Sequence, residues 1–246
     1  MPEPRGLRHC TTSSLYAGLS GVQPLRLHHC DSAGLRRWDA GIPNILVQVR
    51  QDDASMPRYV SLMDAASLLA TVERVLVIGC SGGGKTTFSA KIADLHRLEF
   101  QSLDRDVRWL PGWVERDRTE QRAIISDMVQ RDRWVMDGSG ASSFDLRLPR
   151  TDLVLWVRVP RWVALIGLLK RVSRFYGSVR PAMAEGCPEP LPDRDFLSYI
   201  WNFEKKYAPL FVKQIERYGP DVPVAVLNSH REMDRLLQLS GRPIAR

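Results

Sequence analysis

The chain has 246 residues, of which 44% are hydrophobic, and it carries a formal net charge of +7 at pH 7. This composition suits a globular protein with a buried core, and the longest apolar run, at 162–169, is far too short to span a membrane. The four cysteines form no C-x-x-C pair, which disfavours a disulfide framework or a zinc site and predicts a reducing, cytoplasmic compartment. The basic excess suits acidic ligands such as nucleotides, with nucleic acid as a less favoured partner.

Residues 1–70 differ from the rest of the chain. They hold seven Arg and six acidic residues, so they are nearly neutral, and they show little sustained hydrophobic period. We interpret them as an N-terminal extension that is poorly structured or partly disordered, placed before a domain at 71–246. Within the extension, 45–49 is a candidate strand and 60–69 a candidate short helix. The sequence His28-His29-Cys30 is a weak metal candidate, because three adjacent side chains do not readily converge on one ion.

From residue 71 onward the chain alternates between strand patterns and helix patterns. The strands are predicted at 75–79, 98–103, 134–137, 153–157 and 222–227. The helices are predicted at 84–97, 119–130 with Thr119 as N-cap, 161–176, 195–218 with a kink at Pro209, and 231–239. This alternation predicts an α/β fold with a five-stranded parallel sheet and helices on both faces. Ligands of such sheets bind at the carboxyl ends of the strands.

The first strand runs into a sequence that matches G-x-x-x-x-G-K-[ST], the Walker A phosphate-binding loop: Gly79, Cys80, Ser81, Gly82, Gly83, Gly84, Lys85 and Thr86. Glycines let successive N–H groups converge on one anion, and the following helix adds its positive N-terminal end. Lys85 is predicted to contact the β- and γ-phosphates, Thr86 to ligate Mg²⁺, and Thr87 to join the cofactor site. The motif therefore predicts ATP and Mg²⁺ as cofactors of a P-loop NTPase.

Asp137 ends the third strand, where a carboxylate in phosphate-loop proteins holds Mg²⁺, usually through water. The alternative is a strand-end aspartate that opens a turn. Many ATP-hydrolysing motors and transporters have a glutamate directly after this aspartate to activate water. Here the next residue is Gly138, which favours transfer of the phosphoryl group to an acceptor over hydrolysis.

Asp104 ends the second strand and is predicted to meet the acceptor hydroxyl as a base or an orienting group. The alternative is an aspartate that caps a helix or a turn. The loop Trp109-Leu110-Pro111-Gly112-Trp113 follows. Its two indoles either wall an acceptor pocket or form a hydrophobic plug under a loop.

A basic stretch follows the fourth strand, since 153–184 contains no acidic residue. Lys170, Arg171 and Arg174 precede the Gly- and Pro-rich segment 177–192, which carries Arg180. We predict a lid at about 170–192 whose catalytic arginines 171, 174 and 180 stabilise the transferring phosphoryl group, with a solvated basic face as the alternative. On the same helix, Trp162, Leu165, Ile166 and Leu169 are predicted to face the core.

Two further positions are weaker candidates. Arg147 and Arg150 either grip the acceptor or form surface ion pairs. Asn228 ends the last strand, where it is predicted to contact the nucleotide base, although a simple turn explains it equally well. No N-K-x-D sequence supports guanine recognition.

These motifs resemble those of the adenylate-kinase-related bacterial P-loop kinases, above all the group often labelled DNA topology modulation proteins. The resemblance covers roughly residues 72–240. It rests on the Walker A loop, Leu103-Asp104, the Trp109–Trp113 loop, Trp134 to Gly138, Asp145 to Pro149, Trp156 to Pro160, the Arg-rich helix, Gly186 to Glu189, and Leu227 to Ser229.

The resemblance implies a nucleoside-monophosphate-kinase-like fold, ATP, Mg²⁺ and phosphoryl transfer to a small acceptor such as a nucleotide or nucleoside. Adenylate kinases have an aromatic residue, a proline and an arginine after Asp-Gly, whereas this chain has Ser139-Gly140-Ala141. AMP is therefore a doubtful acceptor. The alternative function is an ATP-dependent, DNA-associated regulator without small-molecule kinase activity, although no helix-turn-helix or aromatic nucleic-acid platform is evident.

Overall fold

The computed structural model describes residues 56–241, and the structural statements below concern that part of the chain. The candidate strand at 45–49 and the His28-His29-Cys30 sequence lie outside the described residues. Among the helices of the described part, none combines the length and apolar character that a bilayer-spanning segment needs.

The described part of the chain contains short strands that alternate with helices. The strands are β1 (Arg74–Gly79), β2 (Glu99–Ser102), β3 (Trp109–Leu110), β4 (Val114–Glu115), β5 (Trp134–Asp137), β6 (Leu153–Val157) and β7 (Val224–Leu227). The helices are α1 (Leu62–Leu69), α2 (Lys85–His96), α3 (Arg118–Met128), α4 (Phe144–Arg147), α5 (Arg161–Phe175), α6 (Arg194–Tyr218) and α7 (His230–Ser240). The five strands and five longer helices predicted after residue 71 all have counterparts here.

Five of the strands form one parallel sheet in the order β2-β5-β1-β6-β7, while β3 and β4 form a separate antiparallel hairpin. The predicted five-stranded parallel sheet is therefore confirmed. Its central strands are buried along their whole length, which requires cover on both faces. Helix α7 contacts both α1 and α2, and α6 contacts both α4 and α5, so helices flank the sheet on both sides.

The register of the sheet sets the position of the site. Asp137 at the end of β5 lies beside Val77 of β1 on one side and beside Ser102 of β2 on the other. Gly79, the last residue of β1, lies beside Val157 of β6. The segments that leave β1, β2 and β5 therefore start next to one another, at the carboxyl edge where parallel sheets bind their ligands.

The helix predicted near residues 60–69 is α1, and it belongs to the core. Ser61 and Asp64 form a capping box at its start. Ala65, Ala66 and Leu69 are buried in the same hydrophobic cluster as the sheet. Residues 62–69 are thus ordered, although sequence analysis placed them in the extension; the domain division itself stays a prediction, since residues 1–55 lie outside the described range.

Two local predictions were wrong. Asp117, not Thr119, caps α3, because its carboxylate accepts the N–H of Thr119 at 2.8 Å. On α5 the predicted core face is mostly exposed, with Trp162 at 60% and Leu169 at 61% of their full exposure and Ile166 also exposed. The buried face runs through Ala164, Leu168 and Val172, because the small residues of α5 let it approach the loop after β1.

Candidate active site

The loop between β1 and α2 follows a backbone path that requires glycine. Gly82 and Gly84 have φ angles of 77° and 90°, a region that L side chains rarely adopt. The N–H of Gly83 turns back to donate to the carbonyl of Cys80 at 3.3 Å. The loop therefore curls in the way predicted for a backbone cradle around phosphate.

The same loop lies directly on the backbone of its neighbours. A Cβ atom added to Gly79 would lie 2.1 Å from the carbonyl oxygen of Val157, and one added to Gly82 would lie 2.2 Å from that of Ala164. From the other side, a Cβ on Gly167 of α5 would lie 2.1 Å from the carbonyl oxygen of Gly82. Sequence analysis missed Gly167, since an isolated glycine inside a helix pattern does not reveal what packs against it.

Lys85 and Thr86 begin α2 at the end of this loop. Lys85 Nζ donates to the carbonyl of Cys80 at 2.9 Å, which holds the ammonium group over the loop. Thr87 lies exposed on the first turn of the helix. His230, at the start of α7, places its Nε2 3.1 Å from the carbonyl oxygen of Gly83 and so supports the loop from a third direction. Sequence analysis missed this histidine as well.

Thr86 at the start of α2 and Asp137 at the end of β5, the two residues predicted to hold Mg²⁺, contact each other. Thr86 Oγ1 donates to Asp137 Oδ2 at 2.5 Å. Asp137 is buried, and its other oxygen, Oδ1, has no hydrogen-bond partner among the described residues. Burial raises the pKa of Asp137, while Lys85 and the Thr86 hydroxyl act in the opposite direction. A buried carboxylate with an unused oxygen beside a phosphate loop fits a divalent cation or its water ligand.

The described residues contain no group of three or more His, Cys, Asp or Glu side chains that could enclose a metal ion. Mg²⁺ does not require such a group, because it keeps several waters and takes one or two protein oxygens together with substrate phosphates. Thr86 and Asp137 are the residues that would hold it.

The turn after β5 braces the loop from behind. The Ser139 hydroxyl accepts the N–H of Gly79 at 2.8 Å and donates to the carbonyl of the same residue at 2.6 Å. Arg147 in turn donates to the carbonyls of Gly138 and Gly140 at 2.7 and 2.5 Å. Its guanidinium is fully buried, and this burial lowers the pKa of Arg147 to about 9. Arg147 is thus neither a free acceptor contact nor a surface ion pair, because it is buried and donates to the carbonyls of the turn after β5.

Three charged side chains connect the loop to the acceptor side predicted at Asp104. Glu189 is buried and accepts the Nε–H groups of Arg171 and Arg180 at 2.8 and 3.1 Å. Arg171 Nη1 also lies 3.4 Å from the Ser81 hydroxyl of the phosphate loop. Arg180 Nη2 lies 3.6 Å from Asp104 Oδ2. Two of the three predicted lid arginines are therefore brought to the site.

Two further predicted site residues, Arg174 and Asn228, have other contacts. Arg174 is exposed, with its guanidinium over the ring of Phe175 at 5.2 Å. Asn228 is exposed at the end of β7, and its N–H donates to the side chain of Glu232 at 2.8 Å. This N–H belongs to the capping of α7, where Ser229 is the N-cap residue. The simple-turn interpretation of Asn228 accounts for these contacts.

The β3–β4 hairpin and residues 177–189 pack together, and we call them the cover. Trp109 lies buried against Met183, Ala184 and Cys187, with Trp113 at the edge of this cluster. Trp113 Nε1 donates to the carbonyl of Pro188 at 2.9 Å. The two indoles contact edge to face at 5.3 Å. Of the two interpretations of this loop, the hydrophobic plug describes Trp109, whose ring is not available to line an open pocket.

The segment between β2 and the hairpin adds a feature that the sequence did not predict. Residues 103–108 form a short π-helix, an element that occurs often at functional sites, and it starts with the Ser102 hydroxyl accepting the N–H of Arg105. Asp104 lies in this segment with half of its side chain exposed. The Ser102 hydroxyl also donates to the carbonyl of Ala182 at 3.2 Å, which ties β2 to the cover.

Comparisons with known proteins give the following picture. No protein-family model matches the chain, and no curated protein is significantly similar to it. Among solved structures, the chain is similar to shikimate kinase from Acinetobacter baumannii in complex with shikimate, with 16% identity, a TM-score of 0.47, and coverage of 71% of this chain and 94% of that one.

Two other solved structures are similar at the same low level. One is an unliganded sugar kinase from Janibacter sp., with 18% identity, a TM-score of 0.42, and coverage of 68% of this chain and 91% of the other. The second is deoxyadenosine kinase from M. mycoides with bound dCTP, with 15% identity, a TM-score of 0.37, and coverage of 68% and 95%. Such distant likenesses say nothing about the substrate of this chain. The parallel sheet and the loop after its central strand give it the predicted P-loop NTPase fold with a nucleoside-monophosphate-kinase-like arrangement.

Proposed function

We propose that the chain is an ATP-dependent phosphotransferase, similar to adenylate kinase, that moves the terminal phosphoryl group of ATP to a small acceptor. The observation that carries the proposal is the contact of Thr86 with Asp137 below the phosphate loop, which leaves Asp137 Oδ1 buried and unpartnered. This is the arrangement expected of a Mg²⁺-nucleotide site before its ligand enters. A nucleotide or nucleoside is the acceptor class that the sequence resemblance suggests.

The donor side would bind the triphosphate through the curled backbone of residues 79–86 and through Lys85. Lys85 Nζ needs only to exchange the carbonyl of Cys80 for phosphate oxygens, and both partners lie within the same short loop. Mg²⁺, held by Thr86 and Asp137, would neutralise part of the phosphate charge. Arg171 and Arg180 supply two further cations above the loop, where negative charge develops as the phosphoryl group leaves.

Gly138 supports transfer rather than hydrolysis. An added Cβ atom at this position would lie 2.6 to 2.7 Å from three side-chain atoms of Leu103, and the residue has a φ angle of 151°. A glutamate that activates water has no room here unless Leu103 and the backbone move. The site therefore lacks at this position the group that hydrolytic phosphate-loop proteins use, while the side chain of Asp104 remains half exposed for an acceptor hydroxyl.

Both cysteines in the described part are free and buried, which agrees with our proposal that the chain works in a reducing compartment such as the cytoplasm. Cys80 lies inside the phosphate loop, and burial raises the pKa of its thiol to about 11. The thiolate, the reactive form, is therefore scarce at neutral pH, so we do not expect oxidation of Cys80 to control the site.

The test is calorimetric titration with Mg²⁺ and a non-hydrolysable ATP analogue, followed by a screen of nucleotides, nucleosides and small alcohols as acceptors. We expect binding by the wild-type chain and phosphoryl transfer that Lys85→Ala reduces at least about 1,000-fold, because the mutant retains no mobile cation for the phosphates. No heat on titration, or wild-type turnover in Lys85→Ala, would refute the proposal.

The same material distinguishes the alternative of a DNA-associated regulator. A salt titration of duplex DNA binding gives a steep slope if many phosphates are contacted. Steep salt dependence that survives Lys85→Ala, together with only acceptor-independent ATP hydrolysis, would favour the regulator over the kinase.

A further inference from the structure

The side chain of Glu189 contacts both lid arginines in the same manner. Its Oε1 accepts Nε–H of Arg171 at 2.8 Å, and its Oε2 accepts Nε–H of Arg180 at 3.1 Å. The residue is 3% exposed. Each guanidinium donates its Nε–H to Glu189, while Nη1 of Arg171 and Nη2 of Arg180 contact other groups. A single carboxylate thereby sets the direction of two cations.

Those Nη groups face opposite halves of the proposed site. Arg171 Nη1 lies 3.4 Å from Ser81 Oγ on the phosphate loop, which is the donor side. Arg180 Nη2 lies 3.6 Å from Asp104 Oδ2, on the acceptor side, and 3.3 Å from the sulfur of Met183. A group placed between the loop and Asp104 would therefore meet one arginine from each side.

The charges around Glu189 explain why such a pair needs a carboxylate. Burial lowers the pKa of Arg171, the positive charge of Arg180 acts in the same direction, and Glu189 opposes both. Two guanidinium groups this close would otherwise repel each other and turn apart toward water. The two arginines and Glu189 together carry one unit of positive charge in excess, and here the half-exposed Asp104 faces that charge from 3.6 Å.

The backbone of Glu189 fixes where its carboxylate lies. The N–H of Glu189 donates to the carbonyl of Ser178 at 2.9 Å, and its carbonyl accepts the N–H of Gly177 at 3.0 Å. These bonds join the two ends of residues 177–189, so Glu189 sits at the base of this loop and not at its tip. The carboxylate is thus placed by the closed base of the loop, independently of how the tip packs.

We propose that Glu189 is a positioning residue that aims Arg171 and Arg180 at the terminal phosphate of the bound nucleotide. This inference rests on the proposed function, since it assumes that a nucleoside triphosphate occupies the phosphate loop. Glu189 does not touch the nucleotide itself. It acts through the two arginines, and its effect is confined to the phosphate that lies beyond the loop.

The test compares the affinity for Mg²⁺-ADP with that for a Mg²⁺-loaded, non-hydrolysable ATP analogue, so that no acceptor is needed. In the wild type we expect the triphosphate to bind more tightly. Glu189→Gln should reduce this preference about tenfold or more, the usual loss for a charge-assisted hydrogen bond, and leave the ADP affinity within about twofold. Glu185→Gln, an exposed glutamate of the same loop, is the matched control and should behave as the wild type.

Glu189→Gln removes a buried charge and can unfold the cover, so Glu189→Asp is measured beside it. The aspartate keeps the charge but is one methylene shorter, so the fold should survive while the triphosphate preference still falls. The double variant with Glu189→Asp and Arg171→Gln should lose little more of the triphosphate preference than Arg171→Gln alone, because both changes act on the same contact between Glu189 and Arg171.

The outcomes separate this inference from the proposed function. If neither nucleotide binds the wild type, the proposed function fails. If the wild type prefers the triphosphate and both Glu189→Asp and Glu189→Gln retain that preference, only the positioning role is overturned. Equal losses of ADP and triphosphate affinity would indicate a structural role and would overturn it too.

Discussion

The phosphate loop and the cover are held in place by different means. The phosphate loop packs directly against backbone atoms. Gly79 lies against the carbonyl of Val157 in β6 and Gly82 against that of Ala164 in α5, with no room for a Cβ atom at either glycine. The cover is held by side-chain contacts. These are the small hydrophobic cluster around Trp109 and the hydrogen bonds that Arg171 and Arg180 donate to Glu189. Main-chain contacts of this kind cannot loosen without disturbing the sheet, whereas the cover can separate from the rest at a lower cost.

A large loss of stability should follow from removing the arginine that contacts the turn after β5. Arg147→Met removes the hydrogen bonds that the fully buried guanidinium donates to the carbonyls of Gly138 and Gly140, and we expect a loss of about 3 kcal/mol in the free energy of unfolding. Denaturant titration measures it. Arg133→Met, at an exposed arginine, is the control. A loss below about 1 kcal/mol would mean that the turn is not part of the rigid region.

A methyl group placed against the loop should act on binding. In Gly167→Ala the new Cβ meets the carbonyl oxygen of Gly82, so the loop has to shift, and overpacking of this kind costs about 2 kcal/mol. We expect Mg²⁺-nucleotide affinity, measured by calorimetry, to fall roughly 30-fold. Gly112→Ala, in the cover, meets no neighbouring atom; its φ of 79° makes the substitution a local strain on the hairpin, and the affinity should stay at the wild-type level. Equal losses in both variants would erase the contrast between the two regions.

The same substitution made in the two regions provides a direct comparison. Trp134→Ala opens a cavity in the sheet and should cost about 3 kcal/mol or more of unfolding free energy. Trp109→Ala should cost only about 1 kcal/mol globally, because the cover can open before the sheet unfolds. Limited proteolysis should then cut residues 177–189 faster. Equal costs at the two tryptophans would show that the cover unfolds with the core.

The smallest expected effect concerns the pH dependence of the loop region. Burial raises the pKa of Asp137. At pH values between the ordinary pKa of aspartate and this raised pKa, the carboxyl of the folded protein keeps a proton that the unfolded chain has already released. Stability of the metal-free protein should therefore fall as pH rises through this window. Asp137→Asn should remove that slope and stabilise the metal-free protein at pH 7. Thermal unfolding between pH 4 and 7 tests this.

Asp145 serves as the control with the opposite sign. The hydrogen bond from Arg122 lowers the pKa of Asp145, so its contribution is present at neutral pH and disappears as the pH falls through the lowered value. Asp145→Asn should therefore weaken the protein at neutral pH and leave it unchanged in acid. If Asp137→Asn also weakens the protein at neutral pH, burial is not the dominant influence on the pKa of Asp137.

The curled loop after β1 and the position of Asp137 at the end of a strand could be predicted from the sequence because their determinants are contiguous. Glycines, Lys85 and Thr86 follow one another, and Asp137 ends an unmistakable strand. The parallel sheet followed from the alternation of strands and helices for the same reason. What was missed depends on pairs of residues far apart in the chain, namely Gly167 under Gly82, His230 on Gly83, and Glu189 between two arginines.

The errors also have physical causes. Arg147 was taken for a surface or acceptor group because a guanidinium is usually solvated, but here backbone carbonyls replace the water. The exposed face of α5 was mistaken for its core face because Trp162 and Leu169 are large and apolar. Small residues, not large ones, mark the side of that helix on which main chain is packed.

Gly167 and Arg171 lie four positions apart on α5. The helix therefore connects the phosphate loop, which packs against Gly167, to the arginine pair around Glu189. Neighbours at this separation share a side of the helix and are about 6 Å apart along its axis. If a change in the phosphate loop shifts or rotates α5, the backbone of Arg171 must move with the helix by the same amount. One extra residue inserted between the two would turn Arg171 by about 100° away from the cleft, with every other contact of the loop left as it is.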